Sequence, residues 1–267
     1  MNTTIVDLQS KKEKTIKVLN NVYNLPLIPK IILDVSKLLE NESVKNNELV
    51  KVISKDQGLV TKILTIANSP MYGLARKVST IDFAILVLGI NEIRSIVSAL
   101  AIIESFKNKS DKYLDQAKFW THCFITGTAA KRLAEEFGIQ KSGEAFVAGL
   151  LHDVGISVIH RFFHSSFIQI TELVEKSEYS YADAELEVLG MSHSEVAYYL
   201  LEKWNFPTAL SESVLFHHTP MKSLLNPPLS AVIHFADYVT HCSGIGDFPW
   251  DINYKFDEAV LGVLKVD

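Results

Sequence analysis

Apolar residues recur at three- and four-residue spacing through most of this chain, and nowhere do they alternate with polar ones over any length. That period matches the 3.6 residues of a helical turn and not the two-residue repeat of a half-buried strand. Ile28, Ile31, Ile32, Val35, Leu38 and Leu39 form one such face, beginning behind Pro26 and Pro29. Leu49, Val50 and Ile53 mark a short second helix. Leu59, Val60, Ile63, Leu64 and Ala67 mark a third, with Asp56 as its N-cap. Asn68-Ser69-Pro70 closes it, because proline disfavours helical geometry in the residue before it. Another apolar stretch, Ile93–Ile103, follows Asn91 as N-cap.

After the polar segment Lys107–Gln116 the helical pattern resumes around Trp120–Phe137, Gly143–Leu151, Ser194–Trp204, Thr208–His217, Ala231–Val239 and Phe256–Val266. The fold class is therefore all-α. The polar break separates an N-terminal helical subdomain (21–110), preceded by an extension (1–20), from a second helical subdomain (111–267). Large residues such as Ile96, Val97, Leu100 and Ile103 gain about 1.5–3 kcal/mol each on full burial. Stripes of that size need a partner surface, so the first subdomain is expected to pack on the second as a layer of the fold.

With 48% hydrophobic and 21% charged residues the chain is globular in composition. Its net charge is −5 and no basic run stands out, which argues against a nucleic-acid partner. The longest apolar runs fall short of the ~20 residues that cross a bilayer. The start of the chain, MNTTIVDLQSKKEKTIKV, has no signal-peptide core. Cys123 and Cys242 are too far apart to suggest a metal site and read as free thiols. A cytoplasmic protein without a membrane or nucleic-acid partner is expected.

Five places in the second half carry metal-ligand residue types: His122, His152-Asp153, His193, His217-His218 and Asp237. Divalent metals that assist hydrolysis take imidazole nitrogen and carboxylate oxygen from helices converging on one cavity. Each position alone reads most simply as a hydrogen-bonded structural residue. Their number and order shift that weighing. Cys123, next to His122, points about 100° away from it on a helix and is expected in the core. His160, Arg161 and His164 read as a solvated helix face, with an anion-binding rim as the sharper alternative. Trp120 and Trp204 read as core fillers.

The order His … His-Asp … His … His-His … Asp resembles the signature of the HD superfamily of metal-dependent phosphohydrolases, with thirty residues between His122 and His152. Whole segments narrow the resemblance. ISKDQGLVTKILTIANSPMYG, STIDFAILVLGINEIRSIV, FWTHCFITGTAAKRLAEEFG, EAFVAGLLHDVGISVI, AELEVLGMSHSEVAYYLLEKWNFP and VLFHHTP are similar to HDOD domains over Leu25–Tyr238. The resemblance implies N-terminal helices on an HD-like helical core. It also implies a regulatory or signal-output role in bacteria, with a signalling protein or small molecule as partner. One or two divalent transition-metal ions, iron, manganese or similar, would be held by His122, His152, Asp153, His193, His217, His218 and Asp237, with Asp153 also the catalytic candidate.

Departures from the catalytic pattern temper the enzymatic reading. Active relatives commonly carry Lys directly after His-Asp-x-Gly, where this chain has Ile156. Cyclic-di-GMP phosphodiesterases of the HD-GYP type follow their His pair with Glu and Gly-Tyr-Pro, where Thr219 and Pro220 stand here. Gln57 replaces the usual proline after Asp56. The expected function is a signalling module with weak or no hydrolase activity. The alternative is a working metal-dependent phosphohydrolase.

Overall fold

Helix caps and apolar spacing set the local structure. The structure, a computed structural model, describes residues 2–24, 45–68, 74, 76–90, 93, 96–97, 100, 103–104, 108–139, 142–176, 179–245, 248–251 and 255–266. Among them there are helices and turns and no strand. The chain divides into two compact units, Pro26–Ser105 and the larger Met1–Leu25 with Phe106–Asp267.

In the smaller unit, α2 (Asn46–Ile53) and α3 (Gln57–Ala67) both pack on α4 (Ile81–Leu88). Asp56 caps α3 as its position suggests, its carboxylate accepting the Leu59 N–H at 2.8 Å. Asn68 ends that helix by donating its amide to the Leu64 and Val78 carbonyls and accepting the Val78 N–H. Ile93, Ile96, Val97 and Leu100 are helical and buried. The face expected over Ile28–Leu39, together with Ser69 and Asn91, lies outside the described residues.

The larger unit contains α1 (Asn2–Asn24), α5 (Gln116–Glu136), α6 (Ser142–Leu151), α7 (Val154–Phe162), α8 (His164–Lys176) and α9 (Tyr181–Leu189). It continues with α10 (His193–Lys203), α11 (Thr208–Leu215), a 3-10 turn at Pro220–Lys222, α12 (Pro227–Cys242) and α13 (Ala259–Leu264). At its centre α5 lies across α6 with backbones touching: a Cβ on Gly149 would stand 2.8 Å from the Gly127 Cα. Only a glycine pair permits that approach. α12 closes over α5, and α10 packs between α7 and α11.

α1, read from sequence as an extension, is a helix lying on α9 and α10. It is fastened by Thr15 Oγ1 donating to the Leu189 carbonyl at 2.7 Å and by a Lys12–Glu195 ion pair at 2.8 Å. Ser142–Phe162 is the one stretch among the described residues long and apolar enough to cross a membrane, yet most of it is buried inside the fold. It is used as core, with a His-Asp pair in its middle.

Candidate metal centre

The His and Asp residues singled out by their order come from five segments of the larger unit. His122 lies on α5, and His152-Asp153 joins α6 to α7. His193 opens α10, the His217-His218 pair follows α11, and Asp237 lies on α12. A capping box sets the start of α10: Ser192 Oγ accepts the Glu195 N–H, and the Glu195 carboxylate accepts the Ser192 N–H. α7 presses directly on that start, since a Cβ on Gly155 would stand 2.0 Å from the His193 carbonyl oxygen.

All seven side chains converge. His122 Nε2 is 3.3 Å from His152 Nε2 and 3.2 Å from Asp237 Oδ1. His152 Nε2 is 3.3 Å from Asp237 Oδ1 and 3.4 Å from Asp153 Oδ2. Across Asp153, Oδ1 lies 3.5 Å from His193 Nε2 and 3.6 Å from His217 Nε2. His218 Nε2 is 3.1 Å from His193 Nε2. His218 is half-buried and the other six are buried. Asp153 thus stands between one group of His122, His152 and Asp237 and another of His193, His217 and His218.

The outer hydrogen bonds decide which ring nitrogens face inward. His122 Nδ1–H donates to the Ile245 carbonyl at 3.1 Å, His152 Nδ1–H to Gly149 at 2.7 Å, and His217 Nδ1–H to Val214 at 2.6 Å. His193 Nδ1–H donates to Glu185, at 2.9 Å to its Oε2. Carbonyls and carboxylates only accept, so these four neutral rings aim Nε2 lone pairs at the centre. Facing them, Asp153 Oδ1, both Asp237 oxygens and His217 Nε2 have no hydrogen-bond partner, although all are buried. Lone pairs meet lone pairs, an arrangement that costs energy until a cation enters. The nitrogen and oxygen donors suit a divalent transition metal.

The charges respond accordingly. Burial alone would push the Asp153 carboxyl up, but the His152, His217 and His193 imidazoles hold it well below the usual carboxylate range. Burial opposes a charge on His152, yet Asp153 and Asp237 raise it well above a normal imidazole. Burial and the neighbouring His217 and His193 rings hold His218 well below.

Two orienting residues were not anticipated. Glu185 is wholly buried and binds His193 through both its backbone N–H and its ring. Trp250 donates its indole N–H to Asp153 Oδ2 at 2.8 Å. Such outer partners fix tautomer and aim. Trp250 is also the buried tryptophan, whereas Trp120 and Trp204, expected in the core, are half-buried. Cys123 is buried as expected, and burial pushes its thiol up.

Of the residues read as a solvated face, His164 is exposed as read, and His160 is not. His160 is buried, and its Nε2–H donates to Asp111 Oδ2 at 3.0 Å. The oxygen of Gln116 accepts the Trp120 indole N–H and that of Asn108 accepts the Lys109 N–H. Both amide nitrogens therefore face His160 Nδ1, at 3.5 and 3.3 Å. His160 Nδ1 accepts, Nε2 keeps its proton, and no lone pair is left for a metal. The cluster clamps the loop before α5.

A model of the HDOD domain family matches residues 25–220. An HDOD domain protein of unknown function from Geobacter sulfurreducens has a similar crystal structure, 28% identical, with a TM-score of 0.76 over 97% of this chain and 85% of that one. A structure from Shewanella amazonensis, provisionally assigned as a phosphohydrolase, is 26% identical with a TM-score of 0.72 over 86% of this chain and 82% of that one. A Treponema pallidum protein of uncharacterised function is 23% identical over 87% of this chain. The chain spans 45% of that relative's length.

Proposed function

This chain belongs to the HDOD domain family, and on that premise we propose that it is a bacterial, cytoplasmic signal-transduction module that keeps an HD-type metal centre and has weak or no hydrolase activity. The observation that carries the metal centre is the set of inward Nε2 lone pairs around unpartnered Asp153 and Asp237 oxygens. His122, His152, Asp153 and Asp237 would hold one ion, and His193, His217 and His218 would hold a second across Asp153. Ile156, where active relatives carry a phosphate-facing lysine, is wholly buried and supports the weak-activity reading. Its output would pass to a signalling protein or a small-molecule ligand.

A second reading, a working phosphohydrolase, is favoured by the unpartnered Asp153 Oδ1. A bound divalent ion supplies Lewis acidity toward a phosphoryl oxygen. In that reading Asp153 would help hold the ion beside an attacking water, and Trp250 and Glu185 keep Asp153 and His193 in aim.

Elemental analysis of protein purified without chelators tests the centre, and stoichiometric iron or manganese is the expected result. Only traces of metal, with none taken up on addition, would refute it. A phosphatase panel with added manganese or iron then separates the readings. Marginal turnover supports the signalling module, and cyclic-di-GMP is expected to remain intact. Robust turnover abolished by Asp153→Ala establishes the hydrolase.

A further inference from the structure

His193 and His218 are also part of the wall of a cavity of about 260 Å³, shared with Ser180, Tyr181, Trp250 and Lys255. No carboxylate lines it among the described residues, and Lys255 is its one ammonium. Tyr181 and Trp250 meet edge to face, 5.7 Å between ring centres, and give it an aromatic side. The imidazoles are neutral and bring no charge of their own, so Lys255 is the positive group of this wall, and with the aromatic side it selects an anion that carries a modest apolar group.

Lys255 is exposed, yet Phe256 and Asp257 fix its place. The Phe256 ring stacks on His234, 5.6 Å between centres and 19° between planes, and packs against Phe235 and Tyr238. Asp257 N–H donates to His234 Nε2 at 2.9 Å, and His234 Nδ1–H donates to the His217 carbonyl at 2.8 Å. Residues 255–257 are therefore strapped to α12 and, through one imidazole, to the backbone of the His217-His218 pair. The backbone that carries Lys255 is thereby held beside the centre.

We propose that Lys255 is the anion-binding residue of this centre and that the cavity takes a small phosphate monoester, its phosphate between Lys255 and the His193-His218 wall. The inference rests on the metal-centre reading above. A phosphate carries three oxygens, enough to meet the ammonium and, on the other side, an ion that His193 and His218 would hold. The cavity is smaller than the roughly 300–1,000 Å³ of sites for drug-sized ligands, so a monophosphate fits it better than a cyclic dinucleotide. Ile156 is wholly buried and supplies no such contact.

The test uses the full metal-loaded chain as wild type, Lys255→Ala and Lys255→Arg, titrated calorimetrically with inorganic phosphate and, separately, acetate. Metal content is measured on the same samples. Phosphate is expected to bind about tenfold more weakly to Lys255→Ala, the scale of one charged hydrogen bond. Lys255→Arg should restore most of the affinity, and all three proteins should hold the same metal. Equal phosphate affinity in wild type and Lys255→Ala, both metal-loaded, would overturn the role of Lys255 and leave the metal centre standing. Acetate bound as tightly as phosphate would overturn the ligand class. A wild-type chain that takes up no metal would overturn the underlying reading and this inference with it.

Discussion

Replacing Gly155 with alanine places one methyl group where the structure has a carbonyl. The new Cβ would stand 2.0 Å from the His193 oxygen and 2.7 Å from its carbonyl carbon. Ordinary contact begins at 3.4 Å, so α7 and the start of α10 must part by about 1.4 Å. Both partners are backbone, and no rotamer change relieves the clash. Overpacking of this kind costs roughly 1–3 kcal/mol, here at the upper end, against a gain of up to about 1 kcal/mol from alanine's better helix propensity. The net loss of about 2 kcal/mol lowers the melting midpoint by about 4–8 °C for a chain of this size. The site responds unevenly. His193 Nε2 moves away from Asp153 Oδ1, and metal bonds tolerate shifts of only about 0.2 Å. His122, His152 and Asp237 lie on the far side of Asp153 and keep their spacing. Thermal unfolding followed by circular dichroism, with metal analysis of the same sample, measures both effects. A variant that melts at the wild-type midpoint with unchanged metal content would refute the backbone-contact argument.

Trp250→Phe keeps an aromatic ring but deletes the N–H that Asp153 Oδ2 accepts. Metal affinity should fall about tenfold with the helical spectrum unchanged, as read by competition with a chromophoric chelator. Stripping metal should lower the melting midpoint by about 5–10 °C, and manganese or iron should restore it; a midpoint indifferent to metal would count against a bound ion. Asp111→Asn removes the partner of His160 and should cost about 1 kcal/mol in urea unfolding at neutral pH. Burial would raise the Asp111 carboxyl, but the Tyr113 N–H, His160 and the Leu114 N–H hold it below its usual value. Its contribution is therefore full above about pH 4 and is lost as the pH falls through the lowered value. The gap between variant and wild type should close in acid; a gap unchanged at low pH would show that Asp111 stabilises by other means.

Much of the helical pattern could be read from the residues because apolar spacing and caps act locally. Asp56, Leu59 and Ile63 carry their own instructions, and α3 forms where they predict. α1 was harder to read because its docked face mixes polar with apolar: beside the buried Leu19, Lys11, Lys12 and Thr15 find partners on α9, on α10 and at Leu189, far along the chain. The ligand-type residues were legible because metal chemistry restricts residue type and the order of His and Asp is unusual. Glu185 and Trp250 were not, since a buried carboxylate and a core indole carry no such signature. Their role exists only once α9 and the segment at Trp250 have been brought against His193 and Asp153. His160 misled for the same reason: its neighbours Asp111, Asn108 and Gln116 lie more than forty residues earlier.

Asp153 divides its two oxygens between unequal neighbourhoods. Oδ2 faces His152, with Asp237 just beyond, whereas Oδ1 faces only imidazoles. An ion on the first side is matched by two carboxylates. One on the second has a share of a carboxylate already engaged and feels its neighbour's repulsion. Ions supplied in rising concentration would therefore fill the centre in sequence, the Asp237 side first. The chain would pass through empty, half-filled and filled forms, each with a different net charge buried among the same helices. If two ions bind as proposed, one shared side chain would thus set three charge states in a single buried centre.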